Sequence, residues 1–167
     1  MGLAQRTEQF LASLRARPTR HRSLQLTPLE VHHHEATRTN GNVMLRILYV
    51  DDDPQYHSLV AMAIKQRLGI DIELASSGYE AIELLNQGER YSMIVSDYMM
   101  PNGNGADLFK HLTDNKIFSL FILFTGHDDD AELRSQFPGN MFLGMVSKAK
   151  VRKLCSLIVM GATSWRP

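Results

Sequence analysis

From Leu45 onward two hydrophobic periods alternate along the chain. Five short runs, Leu45 to Val50, Ile70 to Ala75, Tyr91 to Ser96, Ile117 to Phe124 and Met141 to Val146, predict strands, several too continuously apolar to keep a face in water. Between them lie helical patterns: Pro54 to Leu68, with Val60, Ile64 and Leu68 at four-residue steps; Gly78 to Gln87, with Ala81, Leu84 and Leu85; and Gly105 to Asp114, with Leu108 and Leu112. Fainter helices are expected at Asp129 to Gln136 and Ala149 to Met160. Buried strands alternating with helices require a parallel sheet covered on both faces. The expected fold is therefore α/β, a doubly wound three-layer domain. Pro54 suits a first helical turn, Gly69 the end of that helix, and Asp53 its cap. Ser77 and Glu80 are spaced for a reciprocal capping box.

Residues 1–44 follow neither period. Glu8 to Arg17 could form a short amphipathic helix, but Pro18 and Pro28 interrupt the pattern, and Thr37 to Asn42 reads as a linker. The expected division is a basic tail over 1–44, a folded domain over 45–160 and a C-terminal tail over 161–167. The 167 residues carry 18 basic and 18 acidic side chains, a balance that gives no signal for nucleic acid. His32, His33 and His34 are adjacent and so lack the spacing of a helical metal site. The single cysteine, Cys155, excludes an internal disulfide and a cysteine-based zinc site. No apolar run reaches the roughly 18 residues of a membrane span, and no secretory signal opens the chain, so a cytoplasmic protein without membrane insertion is expected.

In such a sheet, ligands bind beyond the carboxyl ends of the strands. Asp51 and Asp52 follow the first strand, Asp97 the third, Thr125 the fourth and Lys148 the fifth. Carboxylates converging there repel one another unless a cation sits among them, and Mg²⁺ suits oxygen ligands of this kind, with Mn²⁺ as a substitute. The Met99 backbone carbonyl is in reach of the same ion. A carboxylate beside it, Asp97, can attack phosphorus, while the ion, the Lys148 ammonium and the Thr125 hydroxyl each take one equatorial oxygen. The loop DYMMPNGNG, residues 97–105, is stiffened by Pro101 and freed at Gly103 and Gly105. It contains neither a P-loop nor a dinucleotide-binding pattern.

The runs VDDD at 50–53, SDYMMPNGNG at 96–105, FTG at 124–126 and VSK at 146–148 together resemble the receiver domain of two-component response regulators. The resemblance extends from about Leu45 to Met160. It implies a flavodoxin-like sheet of five strands in the order 2-1-3-4-5, with Asp97 as phosphoacceptor from a histidine kinase or histidine phosphotransfer protein. It further implies Asp51, Asp52, Asp97 and the Met99 carbonyl as Mg²⁺ ligands, and Thr125 and Lys148 as phosphoryl partners. Such a domain is a signalling device with limited self-dephosphorylation rather than a turnover enzyme. Met99 and His127 stand where the family tunes that lifetime. The face of the fourth helix, fifth strand and fifth helix is where an output protein or second copy is expected to dock.

The sequence departs from the family pattern at Ala149, where proline is usual, at Met145, where an aromatic is usual, and in a fourth-helix region broken by Pro138 and Gly139. No effector domain is expected after Ile158, and direct DNA binding is not expected. Two alternatives stay open at this point: a pseudo-receiver that binds partners without being phosphorylated, and a small Mg²⁺-dependent phosphatase.

Overall fold

The computed structural model describes residues 45–126 and 130–164. The expectations for Glu8 to Arg17, for the histidine run, for the linker and for His127 lie outside the described residues. The strands are β1 (Ile47–Val50), β2 (Glu73–Ala75), β3 (Met93–Ser96), β4 (Leu120–Thr125) and β5 (Phe142–Ser147). The helices are α1 (Pro54–Leu68), α2 (Gly78–Asn86), α3 (Gly105–Asp114), α4 (Ala131–Ser135) and α5 (Val151–Ser164). All strand pairs are parallel, in the order β2-β1-β3-β4-β5. The strand order expected from the resemblance is the one observed.

Period-two alternation explains the three layers. Ile47 and Tyr49 of β1, Met93 and Val95 of β3, and Ile122 and Phe124 of β4 pack with Val60, Ile64 and Leu68 of α1 and with Leu154, Cys155 and Ile158 of α5. Leu48 and Val50, Ile94, and Phe121 and Leu123 point the other way, onto Ala81 and Leu85 of α2, Leu108, Phe109 and Leu112 of α3, and Leu133 of α4. Each fully buried Leu, Ile or Phe contributes about 1.5–3 kcal/mol relative to an exposed one, so the apolar runs hold the sheet in the middle of the molecule.

Local chemistry sets the helix ends. Asp53 caps α1 by accepting the Gln55 N–H at 2.8 Å, and Gly69 ends it at φ +73°. Ser77 caps α2 as expected, accepting the Glu80 N–H at 3.1 Å. The reciprocal half of that capping box does not form: Glu80 Oε2 accepts from the N–H and hydroxyl of Ser76 instead, one residue earlier. A complete capping box appears at α3, where Asn104 and Asp107 exchange bonds.

Several boundaries differ from the sequence expectation. β2 is three residues long and its flank is exposed, since it is an edge strand paired only to β1. Helix α4 has only five residues and stops before Phe137, whose ring stacks on Phe142 at 4.9 Å and anchors the chain where a longer helix would run. Helix α5 continues to Ser164, four residues past the expected end, with Gly161 buried against the sheet.

Candidate functional site

After β1 the chain leaves for β2 on one side of the sheet, and β3 then returns on the other, so strand order reverses beside β1. The pairing Val50↔Ser96 aligns the ends of β1 and β3, and the Asp97 N–H donates to the Val50 carbonyl at 2.8 Å. Residues 51 and 97 are therefore neighbours at the carboxyl edge, although far apart in the chain.

The three consecutive acids have separate tasks. Asp51 is fully buried, Asp52 is exposed, and Asp53 caps α1. Asp51 Oδ1 accepts the Asp53 N–H at 3.0 Å, while Oδ2 accepts from the Tyr49 hydroxyl at 2.5 Å and from Lys148 Nζ at 2.8 Å. Asp97, 6% exposed, accepts the Tyr98 N–H on Oδ1 at 2.6 Å and Lys148 Nζ on Oδ2 at 2.8 Å. One ammonium thus bridges the two buried carboxylates.

Lys148 is placed by β4 and β5. Its N–H donates to the Thr125 carbonyl at 2.9 Å, continuing the Thr125↔Ser147 register, and its Nζ lies 4.3 Å from the centroid of the Tyr56 ring. Past the lysine, the Ala149 N–H reaches the Ser147 hydroxyl and the Lys150 N–H reaches the Ser147 carbonyl, at 3.3 and 2.7 Å. The loop keeps a defined route with alanine where the family pattern has proline. Thr125 is buried at the end of β4.

Burial pushes the Asp97 carboxyl pKa up, against the opposing pull of Lys148 and of the Tyr98 N–H. For Lys148 burial acts downward, but the hydrogen bonds and charges of Asp51 and Asp97 outweigh it and raise the pKa. The site therefore holds a fixed ammonium beside an acid that the surroundings disfavour as an anion, and added positive charge lowers that cost.

Asp51, Asp52 and Asp97 each offer an oxygen, and these oxygens lie within 4.8 Å of one another. An all-oxygen anionic set fits a hard divalent cation. The Lys148 ammonium already touches two of these acids, which marks the place where positive charge is accepted. Met99 turns its side chain outward, at 71% exposed.

The loop beyond Asp97 is fixed by backbone contacts. Asn102 and Gly103 adopt φ +62° and +93°, and their carbonyls accept the N–H groups of Tyr79 and Gly78 at the start of α2. Gly105 is a close approach: a Cβ there would sit 2.5 Å from the Asp97 carbonyl oxygen.

Asp51, Asp52, Asp97 and Lys148 converge on this edge, and Thr125 stands at the end of the neighbouring strand β4. Sequence reasoning missed Tyr49, Tyr56 and the Asn104 cap. A signal existed for Tyr49, since a tyrosine inside a buried strand must find a partner for its hydroxyl, and an acid lies two residues on. Met145, in the position expected for a switch aromatic, is buried in the core with Leu133 and Phe137.

A family model described as the response regulator receiver domain matches residues 47–158. Among characterised proteins, the two-component response regulator ARR22 of Arabidopsis thaliana is 35% identical over 95 residues, covering 56% of this chain and 66% of the relative. The sensor kinase CckA of Brucella abortus is 29% identical over 115 residues, covering 68% of this chain and 12% of the kinase. The CpxR homolog of Haemophilus influenzae, a transcriptional regulatory protein, is 36% identical over 69 residues, covering 41% of this chain and 29% of the relative. The chain thus spans less than two thirds of the length of each of these relatives. Among solved structures, the receiver domain of the Francisella response regulator 1452 superposes with a TM-score of 0.62 at 24% identity, covering 72% of this chain and 98% of that one. A receiver domain of a histidine kinase from Syntrophus aciditrophicus gives 0.62 at 25% identity, covering 72% and 92%.

Proposed function

The chain belongs to the response regulator receiver domain family, and from that premise we propose that it accepts a phosphoryl group on Asp97 from a phosphohistidine of a sensor kinase or phosphotransfer protein. The observation that carries the reading is the joint placement of Asp51, Asp52, Asp97 and Lys148 at one sheet edge.

Asp51, Asp52 and Asp97, with the Met99 carbonyl, would hold a divalent cation, Mg²⁺ or Mn²⁺. When bound, the cation supplies charge neutralisation at a phosphoryl oxygen. The Asp97 carboxylate attacks phosphorus in line, a new O–P bond forms, the P–N bond to the donor imidazole breaks, and its electron pair stays with that nitrogen. Tyr98 N–H keeps the carboxylate oriented throughout. Lys148, already 2.8 Å from Asp97, is placed to exchange this carboxylate contact for one to the arriving phosphoryl oxygens. Thr125, buried at the end of β4, offers its hydroxyl to a further oxygen and carries the change to the Lys148 backbone through its own carbonyl.

The product is a mixed anhydride that water removes, so the domain is a timed switch and not a turnover catalyst. The face formed by α4, β5 and α5 is the proposed site for an output protein or second copy. Its short α4 and buried Met145 favour a switch that does not use an aromatic at position 145. Direct DNA binding forms no part of the proposed output.

The test is incubation with acetyl phosphate, with and without Mg²⁺, followed by intact mass. Metal-dependent gain of one phosphoryl group by wild type but not by Asp97→Ala supports the reading. No gain supports a pseudo-receiver, and continued turnover of acetyl phosphate in large excess over protein supports a phosphatase.

A further inference from the structure

β1 carries one polar atom in its side chains, the hydroxyl of Tyr49. The ring is fully buried, edge-on to His57 and Phe124 at centroid distances of 5.8 and 6.3 Å. A phenol so enclosed requires an internal partner. The partner is Asp51 Oδ2, at 2.5 Å.

Residues two apart in a strand lie on one face, so the phenol runs alongside the first acid and supports it from the α1–α5 layer. Asp51 offers about four lone-pair sites. The Asp53 N–H takes one on Oδ1, the Tyr49 hydroxyl takes one on Oδ2, and Lys148 takes the other on Oδ2. Because Lys148 also touches Asp97, its contact marks the lone pair of Asp51 that faces the second acid. The other two donors hold the carboxylate by one further lone pair on each oxygen.

We propose that Tyr49 is a positioning residue for the cation site: its hydroxyl fixes the Asp51 carboxylate so that the lone pair now held by Lys148 is presented to the divalent ion. The inference rests on the cation and phosphoryl reading above and adds a residue to it. When Lys148 turns toward a phosphoryl group, Tyr49 and the Asp53 N–H keep Asp51 in place. Hydrogen bonds behind a metal-ligating group are worth about 10–100-fold in metal affinity.

The molecule supplies a control. Tyr91, also buried, donates to Glu73 Oε2 at 2.9 Å at the opposite end of the sheet. Mg²⁺ titrations are compared for wild type, Tyr49→Phe and Tyr91→Phe by calorimetry, at a temperature where circular dichroism shows all three folded. Both variants lose a phenol-to-carboxylate bond, buried at Tyr49 and partly buried at Tyr91, whose partner Glu73 is exposed, and both are expected to lose stability. Only Tyr49→Phe is expected to bind Mg²⁺ about 10-fold or more weakly. Equal Mg²⁺ affinity in Tyr49→Phe and wild type overturns the inference while leaving the phosphoryl reading intact. Absence of Mg²⁺ binding by wild type overturns both. In wild type, the Tyr49 hydroxyl proton is expected to remain protected from exchange by NMR after Mg²⁺ is added. Its loss of protection on metal addition also overturns the inference, independently of any variant.

Discussion

Replacing Lys148 with methionine removes the cation that bridges Asp51 and Asp97 while keeping an unbranched chain over Tyr56. Each contact of 2.8 Å represents roughly 6 kcal/mol of gross attraction at an effective dielectric of about 20. Most of that is offset in wild type by the desolvation of an ammonium whose side chain is 13% exposed. What the variant loses is the compensation: two buried carboxylates remain with no ammonium, and stranding buried charge costs about 3–5 kcal/mol. Asp97 has an escape, since its pKa is already raised and loss of the ammonium raises it further, so a proton replaces the lysine.

That places the expected loss at the low end, about 3 kcal/mol, or about 12 °C in midpoint for a domain of this size. Thermal unfolding followed by circular dichroism in a chelator at pH 7.5 measures it. The deficit should shrink as pH falls and more of the raised Asp97 carboxyl takes up its proton, and shrink again in Mg²⁺ at neutral pH, where a divalent cation takes the place of the ammonium. A metal-free variant as stable as wild type at pH 7.5 would refute the reasoning, as would a deficit insensitive to both pH and Mg²⁺.

Further outcomes follow from the same geometry. Gly105→Ala sets a methyl 2.5 Å from the Asp97 carbonyl oxygen, so the variant should lose about 1–3 kcal/mol in urea unfolding and accept phosphate more slowly, and unchanged values would show that the close approach relaxes freely. For Asp97, a raised folded-state pKa means that the stability from its proton is full below the unfolded pKa and lost as pH rises through the folded one. Metal-free Asp97→Asn should therefore melt above wild type at pH 7.5, with the gain vanishing as pH falls toward 4, a comparison made by calorimetric scans across that range. Met99 is exposed beside the site and cannot orient an attacking water, so Met99→Asn should shorten the lifetime of phospho-Asp97 in a decay followed by intact mass; an unchanged rate removes Met99 from the account.

The sheet was legible because burial on both faces leaves a chemical mark: β4 reads LFILFT, apolar at every position before its closing threonine. Strand ends were less legible, since β2 lies at an edge and its pairing with β1 begins only at Glu73. The acids were legible by position, as a carboxylate at the end of a buried strand needs a purpose. Lys148 was legible as a member of the site but not as a bridge, because its contact to both acids depends on how β4 and β5 bring it across the edge. Glu80 shows the limit of motif spacing: its carboxylate found two donors on Ser76, which outcompeted the single N–H of Ser77. The short α4 was signalled by Pro138 and Gly139, while the stacking of Phe137 on Phe142 that holds the segment down was not.

The central claim is that one carboxylate among the three acids that converge at this edge takes the phosphoryl group. Borohydride reduces an acyl phosphate to an alcohol and leaves free carboxylates untouched, so it records which acid was modified. After incubation with acetyl phosphate and Mg²⁺, reduction and peptide mapping should find homoserine at position 97 alone, and only in the samples that contained the metal. Reduction at Asp51 or Asp52, or at none of the three, would contradict the account.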